Sequence, residues 1–146
     1  MDTKFKVLTA FSVLVFLVLL GVPTAFAHEG HLDLAIDIKP GSYPNTINLK
    51  SGGMVPVAVL GSSDFDAGQV VVTSLIFGPM HENHDHLGAS PVKAKFDDVN
   101  SDGYADLVVF FSVVETGLSI GDTQACLHGM LVDGTHFCGH DSVRVI

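Results

Sequence analysis

The chain contains no tryptophan and only two tyrosines, Tyr43 and Tyr104. Carbohydrate-binding modules stack sugar rings on aromatic platforms, so this composition disfavours such a module. Basic residues are also scarce, with seven lysines and arginines against sixteen acidic residues. Because nucleic-acid binding needs a basic surface, the charge balance excludes a polyphosphate partner and favours metal cations instead.

Signatures of catalysis are missing as well. The chain has no G-x-S-x-G nucleophile elbow, no Walker loop and no reactive-cysteine motif. Two His-Glu pairs begin at His28 and His81, but the second histidine of an H-E-x-x-H zinc protease motif is replaced by Leu32 and Asp85. We therefore expect that the protein is not an enzyme.

No long apolar run follows residue 27. Residues 1–27 have the pattern of an export signal: two lysines, an apolar run at residues 7–20 and the small-residue site Ala-Phe-Ala at residues 25–27. Cleavage there would leave His28 as the first residue of a secreted or periplasmic protein. The alternative is an uncleaved anchor, because residues 7–27 are nearly long enough to span a bilayer.

The mature chain, residues 28–146, suits a single domain with one core. Removing the 27 residues of the signal from the 146 of the chain leaves 119. The sixteen acids and seven bases become fifteen and five, because the signal contains one acid and two bases. The mature protein is therefore even more acidic than the whole chain.

Short apolar runs separated by Gly, Pro, Asn and Asp predict strands, and almost no stretch has the helical period. Pro56 predicts an edge position for its strand, because proline cannot donate to a ladder. Seven or eight short strands at this spacing indicate an antiparallel β-sandwich of the immunoglobulin-like kind. The predicted strands are contained in HLDLAIDI, MVPVAVL, VVVTSLIF, PVKAKF, ADLVVFFSVV, TQACLHGML and THFCGHDSVRVI.

The acidic stretch at residues 97–106 has the spacing of a calcium loop. Alternate residues turn oxygens inward, and Gly103 permits the sharp turn between them. Calcium accepts about six to eight oxygen ligands, whereas zinc and copper prefer nitrogen and sulfur, and magnesium demands octahedral geometry. The alternative is an ordinary Asn/Asp/Gly turn that binds nothing. The candidate ligands are the side chains of Asp98, Asn100, Asp102 and Asp106 and the carbonyl of Tyr104.

This loop differs from an EF-hand, because Val109 stands where the glutamate at position 12 should be and a strand follows instead of a helix. The stretch DVNSDGYADLVV resembles the calcium loops of FG-GAP or VCBS-type repeats, in which D-x-[DN]-x-D-G-x-x-D leads into a strand. A propeller needs several blades and only one copy is present, so the resemblance covers about a dozen residues and does not extend to the propeller fold.

A wider resemblance covers nearly the whole mature chain. The motifs IDIKPGS, LGSSDFD, DVNSDG and GDTQACLHG occur in the order typical of a domain found in secreted bacterial and archaeal proteins. That family has no assigned activity, and the resemblance implies an extracellular β-sandwich with a calcium-stiffened loop. Such domains are often modules of larger surface or exported proteins.

Histidines form a second constellation. Imidazoles beside carboxylates can hold copper or zinc, and a terminal His28 could chelate copper through its amine and ring, similar to the histidine brace of copper monooxygenases and periplasmic copper carriers. The alternative is that these polar loop histidines sit in solvent. The candidates are His28 and His31 near the predicted mature start and His81, His84 and His86 in the HENHDH segment.

Cys126 and Cys138 are the only cysteines, and an exported chain usually oxidises such a pair, so we expect a disulfide. They flank a predicted two-residue turn at Asp133-Gly134, which would pair Cys126 with Asp141 and leave the two sulfurs on opposite faces of the hairpin. A bond therefore requires a longer loop or a bulge that shifts the register. Two buried free thiols are the alternative.

Together these patterns predict a secreted, non-catalytic, calcium-binding β-sandwich with a structural or interaction role, as a surface module or a self-assembling subunit. Its expected partners are Ca²⁺ and itself or other surface proteins, with no nucleic acid and, after signal cleavage, no membrane. The alternative function is an extracellular or periplasmic protein that binds Cu²⁺ or Zn²⁺ through the histidine clusters.

Overall fold

The computed structural model describes residues 31–80 and 87–146. The predicted signal peptide, residues 1–27, lies outside the described residues. The same holds for residues 81–86 of the HENHDH segment. The start of the mature domain at residue 28 therefore stays a prediction.

The described residues form ten strands and three short 3-10 helices, rather than the seven or eight strands expected. No helix in this part of the chain is long and apolar enough to cross a bilayer. The 3-10 helices are Ala67–Gln69, Val72–Ser74 and Val113–Glu115. In chain order the strands are β1 (Leu32–Asp33), β2 (Ile36–Ile38), β3 (Thr46–Ile47), β4 (Met54–Val59), β5 (Ile76–Pro79), β6 (Pro91–Asp97), β7 (Asp106–Ser112), β8 (Gln124–Met130), β9 (His136–Ser142) and β10 (Arg144–Val145).

The strands build an all-β sandwich, which confirms the predicted fold class. Sheet I has the order β1-β9-β8-β5, and sheet II has the order β2-β4-β7-β6. Pairs within sheet II are antiparallel, whereas β1 runs parallel to β9 in sheet I. A separate parallel pair joins β3 to the terminal strand β10.

The core lies between the two sheets and is filled by alternate residues of their strands. Phe77 of β5 and Phe111 of β7 meet there, with ring centroids 5.3 Å apart and no exposed surface. Fully burying an aromatic side chain of this size contributes about 1.5–3 kcal/mol. Other fully buried side chains in the strands are those of Ile38, Val55, Val57, Val59, Leu107, Val109, Leu127 and Phe137.

The first predicted strand is divided between the two sheets. β1 pairs with β9 of sheet I, and β2 pairs with β4 of sheet II. Between them the Leu34 N–H donates to the Cys138 carbonyl at 2.9 Å, and the Ala35 carbonyl accepts from Leu60 N–H at 3.0 Å. Alternation marks which side chains face a core, but it does not say which neighbour a strand pairs with.

The structure corrects two other expectations, the edge position of Pro56 and the start of one strand. Pro56 was expected on an edge, but β4 lies between β2 and β7. Pro56 lies opposite Lys39, just after β2 ends, and its carbonyl accepts from Lys39 N–H at 2.8 Å. The N–H that proline lacks would therefore serve only the last hydrogen bond between β2 and β4. In VVVTSLIF the strand begins only at Ile76, because the 3-10 helix Val72–Ser74 occupies the segment before it.

Candidate metal-binding loop

The predicted calcium ligands lie in the connection between β6 and β7. These strands form an antiparallel hairpin in which Asp97 faces Asp106, so the loop comprises residues 98–105. Ser101 has φ +58° and Gly103 has φ +88°. Gly103 suits the left-handed region because it lacks a Cβ, which agrees with the role in a sharp turn expected from the sequence.

Three of the predicted ligands turn their side-chain oxygens toward consecutive amides of the loop. Asp98 accepts from Asp102 N–H at 3.2 Å through Oδ1 and from Gly103 N–H at 2.9 Å through Oδ2. Asn100 Oδ1 accepts from Asp102 N–H at 3.3 Å, and Asp102 Oδ1 accepts from Tyr104 N–H at 2.9 Å. These three side chains therefore converge on the amides of residues 102–104 while staying exposed to solvent.

Asp106 lies at the base of the loop and differs from the other ligands because it has no exposed surface. Its Oδ1 accepts from Gly61 N–H at 2.8 Å, and its Oδ2 accepts from Val99 N–H at 2.9 Å. The carboxylate thereby joins the segment after β4 to the loop. Each oxygen retains acceptor capacity, because a carboxylate offers about four lone-pair sites.

Positive charge is scarce around this loop. Within residues 31–80 and 87–146, the one ion pair joins Lys95 Nζ and Asp97 Oδ2 at 3.5 Å, and both side chains are more than half exposed. No described lysine or arginine pairs with Asp98, Asp102 or Asp106. Like charges repel, and the repulsion is greatest where burial lowers the dielectric, so these carboxylates lack a side-chain cation that would offset it.

The donor chemistry of the loop fits calcium, since every candidate ligand is an oxygen. Asp106 nevertheless has no exposed surface, whereas Asp98 and Asp102 are exposed. Among the residues that the structure describes, no three His, Cys, Asp or Glu side chains are grouped so as to hold a metal ion. Binding at this loop would therefore need the exposed side chains to move toward a common centre.

Most of the predicted histidine ligands, His28, His81, His84 and His86, lie outside the described residues. His31 immediately precedes β1, and its ring meets that of His136 edge to face with centroids 6.3 Å apart. Sequence reasoning missed His136 and two further strand histidines, His128 and His140. The alternation of His136 and His140 with buried β9 residues was the available signal.

The hairpin of β8 and β9 has a different register from the one expected. Leu131 N–H donates to the Thr135 carbonyl at 2.9 Å, so the turn has three residues, 132–134, with Gly134 at φ +86°. Cys126 therefore pairs with His140, and Cys138 pairs with His128. The shift of one residue places both cysteines on the same face, as diagonal neighbours. A two-residue turn was wrong because the left-handed glycine adds one residue to the loop.

The expected disulfide is not formed in the structure, in which both cysteines are free thiols. Cys126 Sγ lies 3.9 Å from the Pro79 carbonyl on the β5 side, and Cys138 Sγ lies 3.5 Å from Asp33 Oδ1 on the β1 side. The sulfurs therefore point away from each other across the sheet. Burial raises the pKa of both thiols, with a further rise at Cys138 from its hydrogen bond to Asp33.

No protein-family model matches this chain, and no curated protein is significantly similar to it. The resemblances to the secreted β-sandwich domain and to FG-GAP or VCBS-type loops therefore stay predictions.

Proposed function

We propose that the protein is a secreted, non-catalytic β-sandwich that binds one calcium ion and has a structural or interaction role. The observation that carries the proposal is the unpaired negative charge of one loop. Asp98, Asp102 and Asp106 supply three carboxylates, and no described cation neutralises them. The proposed ligands are these carboxylates together with the Asn100 side chain and the Tyr104 carbonyl.

The proposed effect of the ion is to neutralise and stiffen the β6–β7 hairpin. Bound calcium would supply positive charge at the mouth of the loop, where the oxygens of Asp98 and Asp102 already face neighbouring amides. Asp106 accepts from Gly61 N–H, so it ties the same loop to the end of β4. Ordering of the loop would therefore also stabilise the connection between two neighbouring strands of sheet II.

The expected stabilisation is modest. Calcium sites of extracellular modules usually have dissociation constants of about 10⁻⁴ to 10⁻³ M. At ten times the dissociation constant, the ion would raise the free energy of unfolding by roughly 1.4 kcal/mol. For a domain of this size, that corresponds to an increase in Tm of about 5 °C.

The test is a thermal melt of the mature chain with calcium, with magnesium and with a chelator. We expect the highest Tm in calcium, and we expect the double variant Asp98→Asn, Asp102→Asn to lose that increase. Asp64→Asn is the matched control, because Asp64 is an exposed acid outside the loop. Identical melts of the unaltered chain in calcium and in chelator would refute calcium binding.

An exposed sheet edge supports the interaction role. β6 is the edge strand of sheet II, and most of its residues are exposed. Val92 and Phe96 are apolar residues on this strand with more than half of their surface exposed. The outer edge of a strand at this position is a surface on which another chain or a second copy can add a strand.

A further inference from the structure

The outer face of sheet I concentrates side chains that bind soft metal ions. On β9, buried Phe137 and Gly139 alternate with the outward-facing residues His136, Cys138 and His140. On β8, the residues of that face are Cys126, His128 and Met130, which alternate with the buried Ala125 and Leu127 and with Gly129. All four described histidines and both cysteines belong to this face or to the chain at its edge.

Strand register brings these side chains into rows. Met130 faces His136, and His128 faces Cys138 in the next row. Directly opposite residues on one face of an antiparallel pair have Cβ atoms about 4.5–5.5 Å apart. His31 extends the first row, since β1 runs parallel to β9 with Leu32 facing Phe137, and its ring lies against that of His136.

A cavity of about 180 Å³ lies beside these rows and is lined by members of both. Three imidazoles, those of His31, His128 and His136, line it together with the thioether of Met130. Ser74 and Ile76 also line it. The cavity is thus an open recess with three nitrogen donors and one sulfur donor around it.

We propose that this recess binds one soft or borderline transition-metal ion of the copper(I) and zinc class, with His31, His128 and His136 as ligands. Imidazole is a preferred ligand of both ions, and the Met130 thioether adds a soft donor that copper(I) accepts and zinc does not favour. Calcium is excluded from this site because it selects oxygen ligands. The site is separate from the acidic loop and differs from the predicted terminal and HENHDH histidines, with only His31 in common.

The ligands must close around the ion, because no three such side chains in the described part of the chain are already grouped for binding. Ring centroids of His31 and His136 are 6.3 Å apart. Two imidazoles that share a tetrahedral ion at about 2.0 Å have their centroids about 5 Å apart, so this pair must approach by about 1 Å. Rotation of exposed side chains over fixed strands supplies that movement, and metal binding then stabilises the closed arrangement.

The test uses the untagged mature chain in which His28, His81, His84 and His86 are replaced by glutamine, so that only the described histidines remain. Zinc and copper(I) are titrated separately in competition with a chromogenic chelator, under reducing conditions. We expect one ion per chain. Adding His128→Gln and His136→Gln should weaken binding by about 100-fold or more, since even indirect partners of metal ligands contribute about 10- to 100-fold.

His140→Gln is the matched control, because His140 lies on the same face opposite Cys126, away from the cavity. It should change the affinity less than about twofold, within ordinary measurement differences. Met130→Leu should weaken copper(I) binding and leave zinc binding unchanged. Thermal melts of each variant without metal show whether the fold is intact. The single variant His136→Gln is included as well, so that the loss of a ligand can be distinguished from damage to the fold.

Two results would overturn the proposal. One is the absence of stoichiometric binding of either ion in the chain that retains only the described histidines. The other is equal affinity before and after removal of the His128 and His136 imidazoles. Neither result bears on calcium, whose test depends on the acidic loop.

Discussion

Gly61 lies directly against the backbone of Ala105: a Cβ added at Gly61 would be 2.2 Å from the Ala105 carbonyl oxygen. Its N–H also donates to Asp106, so backbone contact and hydrogen bond fix the loop at the same point. We expect Gly61→Ala to lower the free energy of unfolding by about 2 kcal/mol or more, because the loop must move to admit a methyl group. Urea denaturation measures this loss.

Gly53→Ala is the control for that substitution. A Cβ at Gly53 meets only Ser51 Oγ at 3.7 Å, which is an ordinary contact. The control should change stability by less than about 0.5 kcal/mol, as most surface substitutions do. Equal effects of the two changes would mean that the contact between Gly61 and Ala105 does not hold the loop.

The buried carboxylate of Asp106 gives a second prediction. Asp106→Asn keeps the shape of the side chain but turns an amide group toward one of two N–H donors, those of Gly61 and Val99. We expect a loss of about 2 kcal/mol, the range for hydrogen bonds to a charged group. The loss should persist in chelator when measured by denaturant unfolding, because it reflects the folded backbone and not a bound ion.

Asp97→Asn is the comparison for Asp106, since the two residues face each other across the hairpin. Asp97 is exposed and pairs only with exposed Lys95. Surface pairs of this kind contribute about 0–1 kcal/mol. A loss at Asp106 no larger than that at Asp97 would contradict the role of the buried carboxylate.

Local pattern predicted strands but not their partners. Alternation in PVKAKF and the apolar run after Asp106 correspond to β6 and β7, which pair as a hairpin. The division of β1 from β2, by contrast, depends on neighbours far along the chain. The predicted β8–β9 register was wrong by one residue. The register depends on the length of the turn, and the left-handed conformation of Gly134 that lengthens it is established only in the folded hairpin.

The candidate sites show the same limit. Spacing identified the oxygens of Asp98, Asn100 and Asp102, which do lie over one set of amides. It could not reveal that Asp106 bonds to Gly61, 45 residues away in the chain. Nor could spacing predict the contact between His31 and His136, because that contact depends on the pairing of the first strand with β9.

Asp37 gives a prediction about pH. Burial raises its pKa above the ordinary 3.8, and the nearby carboxylates of Asp141 and Asp106 raise it further. The folded state therefore binds the proton more tightly than the unfolded state, so ionised Asp37 destabilises the fold above its folded pKa. We expect Asp37→Asn to increase Tm near neutral pH, with a benefit that shrinks as pH falls through that pKa and vanishes below about 3.8.

Melts from about pH 3 to about pH 8 follow this difference, with Asp64→Asn as an exposed control. The difference in Tm between the Asp64→Asn control and the unaltered chain should not shrink as the pH falls. A gain for Asp37→Asn that grows as pH falls would contradict the assigned direction. Asp141 is unsuitable for the comparison because its carboxylate accepts from Ile38 N–H at 2.9 Å and from the Asn45 amide at 3.1 Å.

The two thiols allow the predicted disulfide to be tested directly. Cys126 is buried and Cys138 is half-buried, so in the reduced chain Cys138 should react faster with a thiol reagent. The pKa of each thiol lies above the ordinary 9.0, so both reaction rates should still increase with pH at about pH 9.0. Single variants Cys126→Ala and Cys138→Ala assign each rate to its residue.

Oxidised protein distinguishes the two arrangements of the sulfurs. If they keep their contacts with Pro79 and Asp33, both cysteines of protein purified without reductant will still react. A disulfide would block both reactions until a reductant is added, and it would require the diagonal pair to rotate toward each other across β8 and β9. Closing about 13 residues would then add about 3 kcal/mol to the free energy of unfolding in the chain-entropy description. A higher Tm that a reductant abolishes would therefore establish the bond and overturn the free-thiol arrangement.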